Sequence, residues 1–206
     1  MKKPNFDRLY EIAAGQQGFF TAHQATECGY SRQLQVYYVK KAEWMRQARS
    51  IFKLPSYSST SIFPDSYYVT ELWSENQQGQ YEGVMGFTAA LFVHGLLDEA
   101  PQEIHFIVPK RFRRNSPPPG KIRFHRRDLE PREIEVIHGL RTTSVSLTLR
   151  DLLLKGTLDE NAILKLARKA FEKRKIKLEQ LEQLVVDTHS KPAFALALSK
   201  LLDDLK

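Results

Sequence analysis

In the N-terminal part of the sequence, the side chains best suited to binding a ligand lie on one predicted helix, which begins after Ser31. Leu34, Tyr38 and Ala42 recur at i, i+4 and i+8 and predict an inward stripe. The opposite side therefore faces solvent, and its Arg, Gln and Lys side chains are types that hydrogen-bond base edges and phosphates. The residues predicted to contact nucleic acid on this helix are Ser31, Arg32, Gln33, Tyr37, Lys40 and Lys41.

Two shorter helices and a basic hairpin are predicted around this helix. One helix follows Asn5 as its N-cap and ends near Gly15, and a second begins at Thr21 and ends at Gly29. The short turn between the second and third helices is typical of a helix-turn-helix. Residues 44–54 have apolar ends and a basic middle, which predicts two strands joined by a wing that carries Arg46 and Arg49. Residues 1–56 are thus predicted to form a winged helix-turn-helix domain.

A second basic segment spans residues 110–127 and contains no acidic residue. A Pro-Pro-Pro-Gly turn at 117–120 separates two basic arms, and residues 122–125 alternate as in a strand, so the sequence predicts a hairpin with a basic rim. The pattern leaves open whether this rim touches DNA, RNA or nothing. The residues of this second basic surface are Lys110, Arg111, Arg113, Arg114, Lys121, Arg123, Arg126 and Arg127.

Positive charge is concentrated in these two places. The chain of 206 residues has a net charge of +7, with +5 in residues 1–56, −7 in 57–103, +8 in 104–127 and +1 in 128–206. Clustered cations release more counterions from a polyanion than scattered cations do, so the distribution favours a nucleic-acid partner. The alternative is that such runs simply keep two faces solvated.

The chain offers little for metal or disulfide chemistry. Cys28 is its single cysteine, and the six histidines, at 23, 94, 105, 125, 138 and 189, lack the spacing of metal ligands. His94 is expected to be a hydrogen-bonded core or cap residue. We therefore expect no metal, no cofactor and no catalytic residue. The absence of a long apolar run favours a cytoplasmic protein without a membrane partner.

A mixed α+β domain is predicted for residues 65–206. Residues 55–64 are rich in Ser and Pro and predict a connector. A helix follows from about 65 to 76, and residues 103–109 predict a strand buried on both faces. Further strands are expected near 134–137 and 140–142, and leucine stripes predict that the chain ends in a helical segment. The predicted fold class is thus α+β.

The chain resembles the AbiEi family of antitoxins, which are predicted transcriptional regulators of type IV toxin–antitoxin systems in bacterial phage defence (abortive infection). The resemblance covers roughly residues 5–175 and rests on RSIFKLP, on TAALFVHGLLDEAPQEIHFIVPKRFRR and on GLRTTSVSLTLRDLL. The chain departs from the family where Ala42 and Ser50 replace usual glycines, and where Gly86-Phe87 replaces a Ser-His-type pair.

The resemblance implies a sequence-specific repressor that binds inverted repeats in its own promoter. The sequence leaves the oligomeric state open, with a dimer on DNA as one alternative. It also implies a C-terminal domain that counters a nucleotidyltransferase-like toxin without forming a stable complex with it. A member of the family can also act as a stand-alone regulator with no toxin beside it.

Two other classes of function compete with this interpretation. Asp65 and Glu103 are reminiscent of paired carboxylates that hold Mg²⁺ in a nuclease, but residues 57–103 contain no lysine and His105 occupies the expected lysine position. The C-terminal helices could instead make the chain a protein-interaction module. Binding to DNA at low salt separates the regulator from this last alternative.

Overall fold

The protein has a mixed α+β fold, as the sequence predicts, and its described residues form two sheets. The computed structural model describes residues 3–58, 61–188 and 190–205. The predicted connector at 55–64 therefore includes two residues, 59 and 60, that lie outside the described part, and so does His189. The N-terminal elements are α1 (Phe6–Gly15), β1 (Phe19–Thr21), α2 (Ala22–Glu27), α3 (Arg32–Lys40), β2 (Met45–Ala48) and β3 (Ile51–Lys53).

The three N-terminal helices begin at the caps that the sequence predicts. The Asn5 side chain accepts from the backbone N–H of Arg8, and Ser31 Oγ accepts from the N–H of Leu34. Thr21 forms a full capping box, because its hydroxyl accepts from the N–H of Gln24 while the Gln24 side chain accepts from the N–H of Thr21.

The N-terminal strands form a small antiparallel sheet in the order β1-β3-β2. Arg49 and Ser50 form the turn between β2 and β3, and a β-bulge interrupts the pairing between Arg46 and Ala48. Trp44, which precedes β2, is buried in a cluster that joins this sheet to the three helices.

The remaining elements are α4 (Asp65–Trp73), β4 (Val84–Met85), α5 (Phe87–Val93), β5 (Ile104–Val108), β6 (Ile122–Arg126), a short 3₁₀ helix (Pro131–Glu133), β7 (Ile134–Ile137), β8 (Leu140–Thr143), α6 (Val145–Lys155), α7 (Glu160–Glu172), α8 (Leu178–Asp187) and α9 (Pro192–Leu205). Their strands form a second sheet in the order β6-β5-β4-β8-β7, and the helices pack around it. All five residues of β5 are buried, which confirms the prediction of a strand covered on both faces.

The predicted hairpin at 110–127 is wrong. β6 lies parallel to β5, with Ile104 opposite Ile122, so residues 109–121 connect two parallel strands instead of forming one arm of a hairpin. The three prolines at 117–119 have no N–H to donate to a ladder. The first basic arm instead turns Phe112 inward, where it packs against Trp73.

One hydrophobic cluster extends across the connector. Phe19 and Ile51 of the N-terminal sheet belong to the same cluster as α4, β4 and β5. A polar contact accompanies this packing: Thr21 Oγ1 donates a hydrogen bond to the buried Glu75 carboxylate at 3.1 Å. Residues of α5 to α9 form a separate cluster on the other side of the large sheet.

No helix within the described ranges is long and apolar enough to cross a lipid bilayer.

Candidate nucleic-acid interface

The outer face of α3 carries the side chains predicted to contact nucleic acid. Arg32, Gln33 and Lys40 are exposed, and within the described part of the chain none of their side chains has a hydrogen-bond or ion-pair partner. Ser31 is half-buried and its hydroxyl caps the helix, so its first role is to fix the N-terminus of α3. The three long side chains are therefore free to bind a ligand.

Tyr37 and Lys41 form a pair at the C-terminal end of the same face. The Lys41 ammonium lies 5.8 Å from the centre of the Tyr37 ring, and that ring is 51% exposed. Val36, which the sequence analysis did not single out, is 41% exposed beside them. This end of α3 thus offers apolar surface together with positive charge, a combination suited to a thymine methyl group next to phosphate.

A buried amide positions α3, and the sequence analysis missed it. Gln35 is 5% exposed, and its Nε2 donates toward the Tyr30 carbonyl at 3.0 Å, Thr26 Oγ1 at 3.0 Å and the Ala22 carbonyl at 3.1 Å. These contacts tie α3 to α2 across the turn. The sequence gives no signal for the burial of Gln35, because a buried amide depends on acceptors that another element supplies.

The predicted inward stripe on α3 is partly wrong. Leu34 and Tyr38 pack on the N-terminal cluster as predicted. Ala42 lies beyond the end of the helix, is exposed, and has a φ of 57°. The helix ends in a turn at this point, where the N–H of Ala42 donates a hydrogen bond to the Val39 carbonyl.

The β2–β3 hairpin presents its two arginines differently. Arg46 is exposed and its guanidinium lies over the Phe52 ring, 5.5 Å from the centroid. Arg49 sits in the turn, exposed and without a side-chain partner in the described ranges. Lys53 at the other end of β3 is occupied, because it pairs with Asp65 at 2.7 Å.

Some side chains of the second basic surface are held by hydrogen bonds or ion pairs within the protein, and others are not. Arg127 forms a bidentate pair with Asp151, Arg123 pairs with Glu103 at 2.7 Å, and Arg126 donates to the Phe112 carbonyl at 2.9 Å. Arg114 donates to the Glu75 carbonyl. In the described residues no side-chain partner occurs for Lys110, Arg111, Arg113 and Lys121. Arg127 is thus part of the fold's own framework.

The Arg127–Asp151 pair gives a stability prediction. Asp151 is 5% exposed, and its two oxygens accept from Arg127 at 2.8 and 2.6 Å. Asp151→Ala leaves a half-buried guanidinium without a partner, so we expect a loss of about 2–3 kcal/mol in the free energy of unfolding, reduced from a fully buried pair because water reaches Arg127. Urea denaturation measures this.

The matched control is the exposed pair of Arg132 and Glu130, whose side chains are 83% and 62% exposed. Glu130→Ala should change stability by less than about 1 kcal/mol. Equal losses in the two variants would show that burial does not decide the strength of these pairs.

The structure brings the two predicted basic surfaces together at one place. Arg49 of the hairpin turn lines the same open cleft as Arg111, Arg113 and Arg114. The sequence analysis treated the two surfaces separately, since sequence distance gives no measure of which turns meet. The cleft joins the edge of the N-terminal sheet to the segment that follows β5.

The carboxylates considered for a nuclease each have their own cation. Asp65 pairs with Lys53, and Glu103 pairs with Arg123 while lying 3.7 Å from His105 Nε2. A pair that holds Mg²⁺ needs carboxylate oxygens directed at a common ion. These two are directed at separate cations.

Two histidines, His94 and His105, are buried, and His125 is half-buried beside the second. His94 caps α5 and its Nε2 lies 2.8 Å from the Thr143 carbonyl, which confirms the predicted cap role. His105 and His125 stack, with 3.2 Å between Nδ1 of the first and Nε2 of the second, and Phe87 covers them. Burial lowers the pKa of His125 to about 4, so its ring is neutral at pH 7. In the part of the chain that is described, no group of three or more His, Cys, Asp or Glu could hold a metal ion.

Comparison with known proteins gives a fold relationship. No protein-family model and no curated protein matches the sequence. The chain is similar to the crystal structure of the RV2827C protein from Mycobacterium tuberculosis, with a TM-score of 0.50 and 12% sequence identity. The similarity covers 96% of this chain and 82% of the mycobacterial chain. At this identity the comparison shows a shared mixed α+β fold.

Proposed function

We propose that the protein is a sequence-specific DNA-binding repressor whose residues 1–56 act as a winged helix-turn-helix. The observation that carries the proposal is the exposed face of α3, where Arg32, Gln33 and Lys40 have no partner in the described residues. α2 and α3 stand in the order of a helix-turn-helix, and the β2–β3 hairpin follows as a wing with Arg49 at its tip. A helix of this width fits the major groove of B-DNA.

The resemblance to the AbiEi family supports an antitoxin role, with DNA of its own promoter as the partner. The family's usual glycines near the end of α3 and in the wing are replaced here by Ala42 and Ser50. Both have positive φ, 57° and 64°, in the region that favours glycine. The backbone thus has the conformation expected at those family positions, although the side chains differ.

The antitoxin proposal includes action against a nucleotidyltransferase-like toxin in the cytoplasm, without a stable complex. It rests on the resemblance alone. Co-expression with a toxin encoded beside the gene tests it: growth should recover with the intact chain. If no such toxin gene exists, or growth does not recover, the stand-alone regulator replaces the antitoxin.

Three substitutions on α3 test the mode of DNA binding. Arg32→Ala and Gln33→Ala remove candidate base contacts and should cost about 1–3 kcal/mol on the DNA upstream of the protein's own gene, with little effect on a scrambled duplex. Lys40→Ala removes a candidate phosphate contact and should weaken binding to both duplexes alike, reducing the salt slope by about 1. Fluorescence anisotropy across a salt series measures both effects.

Lys200→Ala is the matched control, because Lys200 is an exposed lysine on α9. It should leave binding to either duplex unchanged. Equal effects of all three α3 variants on every sequence would reject base reading by this face. Absence of any binding at low salt would favour the protein-interaction module.

A further inference from the structure

The arginine cleft is an open pocket of about 500 Å³ between the hairpin turn and the segment after β5. Four guanidinium groups and one carboxylate, that of Glu82, line it. Amide and hydroxyl side chains complete the lining, contributed by Asn76, Gln77, Gln78, Asn115, Ser116 and Ser50. These groups donate hydrogen bonds, and the excess of cations gives the pocket the chemistry of a phosphate site.

The arginines of the cleft make no ion pair among the described residues, although the Glu75 and Glu82 carboxylates act electrostatically on Arg114. Within the described residues, the side chains of Arg49, Arg111 and Arg113 make no ion pair. Arg114 is held in place by the Glu75 carbonyl and by the Trp73 ring, 5.8 Å from its guanidinium. Gathering like charges costs energy unless an anion lies between them. An anionic ligand would remove that cost.

An aromatic pocket adjoins the cleft. It has a volume of about 280 Å³ and is lined by Trp73, Phe112 and Phe124 together with Arg126 and Pro118. It shares Arg113, Arg114 and Ser116 with the arginine cleft. Phe124 is 37% exposed, so one aromatic ring remains accessible from solvent. Bases stack on aromatic rings and on guanidinium planes.

We propose that these two adjoining pockets bind a nucleotide, with its phosphates on Arg49, Arg111 and Arg113 and its base on Phe124. The combined volume lies in the range of small-ligand sites. A duplex backbone is convex and keeps its bases stacked inside, so it cannot reach the aromatic pocket, whereas a free nucleotide or an unpaired nucleotide of a strand can fill both pockets.

Arg49 links this site to DNA. If the proposed function is right, a nucleotide in the cleft withdraws the wing-tip arginine from the duplex and weakens repression. This consequence rests on the proposed function, whereas the nucleotide site itself does not. The two are separated by measuring nucleotide binding in the absence of DNA.

The test uses the full chain and fluorescence anisotropy of an ADP that carries a small ribose fluorophore. Unlabelled ADP, pyrophosphate, adenosine, a short oligo(dT) and a short duplex compete in separate titrations. We expect ADP to compete, pyrophosphate to compete more weakly, and adenosine to compete least. If oligo(dT) competes more strongly than ADP, the proposal stands and the natural ligand is an unpaired nucleotide within a strand.

The paired variant Arg111→Ala/Arg113→Ala should lower the affinity for ADP and for pyrophosphate at least tenfold. Phe124→Ala should lower the affinity for ADP and leave the affinity for pyrophosphate unchanged. Lys165→Ala/Lys200→Ala removes two exposed charges from α7 and α9 and is the control for net charge. Circular dichroism checks the fold of each variant.

The proposal is overturned if no ligand binds at millimolar concentration. It is also overturned if the duplex alone competes, or if the arginine pair and the control pair lose affinity equally. Because both arginines are exposed, the paired variant is expected to fold and tests the phosphate site even if Phe124→Ala does not fold. A folded Phe124→Ala variant that binds ADP as tightly as the native chain overturns the placement of the base.

Discussion

Gly83→Ala is expected to destabilise the fold by about 3 kcal/mol, the upper part of the range for overpacked cores. A Cβ built at Gly83 lies 2.0 Å from two ring atoms of Phe106, a residue with no exposed surface. Neither partner can move freely. The N–H of Gly83 donates to Ser74 Oγ at 3.0 Å, and the neighbouring Met85 pairs with Phe106 across β4 and β5. Urea unfolding of the variant measures the loss.

Gly15→Ala is the control for that substitution. Gly15 is the last residue of α1, and a Cβ there meets nothing within 4 Å. Alanine favours helix over glycine by up to about 1 kcal/mol, so this variant should be neutral or slightly more stable. Equal destabilisation of the two variants would show that the contact with Phe106 is not the cause.

Glu71→Gln is expected to stabilise the protein at pH 8 and to do so much less at pH 5. Burial raises the pKa of Glu71 to about 8, because the carboxylate lies in the interior. One oxygen accepts from the N–H of Arg141 at 3.0 Å, and the other has no hydrogen-bond partner among the described residues. Glutamine keeps an acceptor for Arg141 and carries no charge at any pH.

The direction of this pH dependence follows from which state, folded or unfolded, binds the Glu71 proton more tightly. The folded pKa lies above the ordinary value of 4.5, so the folded state keeps a proton that the unfolded state has lost between pH 4.5 and 8. Stability of the native chain therefore falls as pH rises through that window and levels off above it. The glutamine variant lacks this decline, and the gain at pH 8 should be on the order of 2–4 kcal/mol.

Denaturation at pH 5, 6.5 and 8 measures the difference between the two chains. Glu179→Gln, on the exposed surface of α8, is the control and should show the same pH profile as the native chain. A gain for Glu71→Gln that is equal at all three pH values would contradict a buried, protonated carboxyl.

Local signals in the sequence predicted the N-terminal helices well. Asn5, Thr21 and Ser31 are side chains that accept from the first free N–H groups of a helix, and each does so here. The buried strand β5 was also predictable, because Ile104–Val108 contains one polar residue, His105, and so does not alternate between apolar and polar positions.

Contacts between distant parts of the chain were not predictable. β5 and β6 pair in parallel, and Phe112 in the segment between them packs against Trp73, which lies far away in the sequence on α4. For the same reason the sequence could not show which basic residues are free. Arg127 and Arg113 look alike in the sequence, and only the approach of Asp151 distinguishes them.

The cluster that contains both Phe19 and Trp73 has a consequence for proteolysis. Because the N-terminal sheet and α4 share this apolar interior, opening one exposes the other to water. A ligand that binds only the folded chain lowers the population of every such opened form. If the proposed DNA binding at α3 is right, DNA should therefore protect cleavage sites in β4 and β5 as well as those beside the duplex.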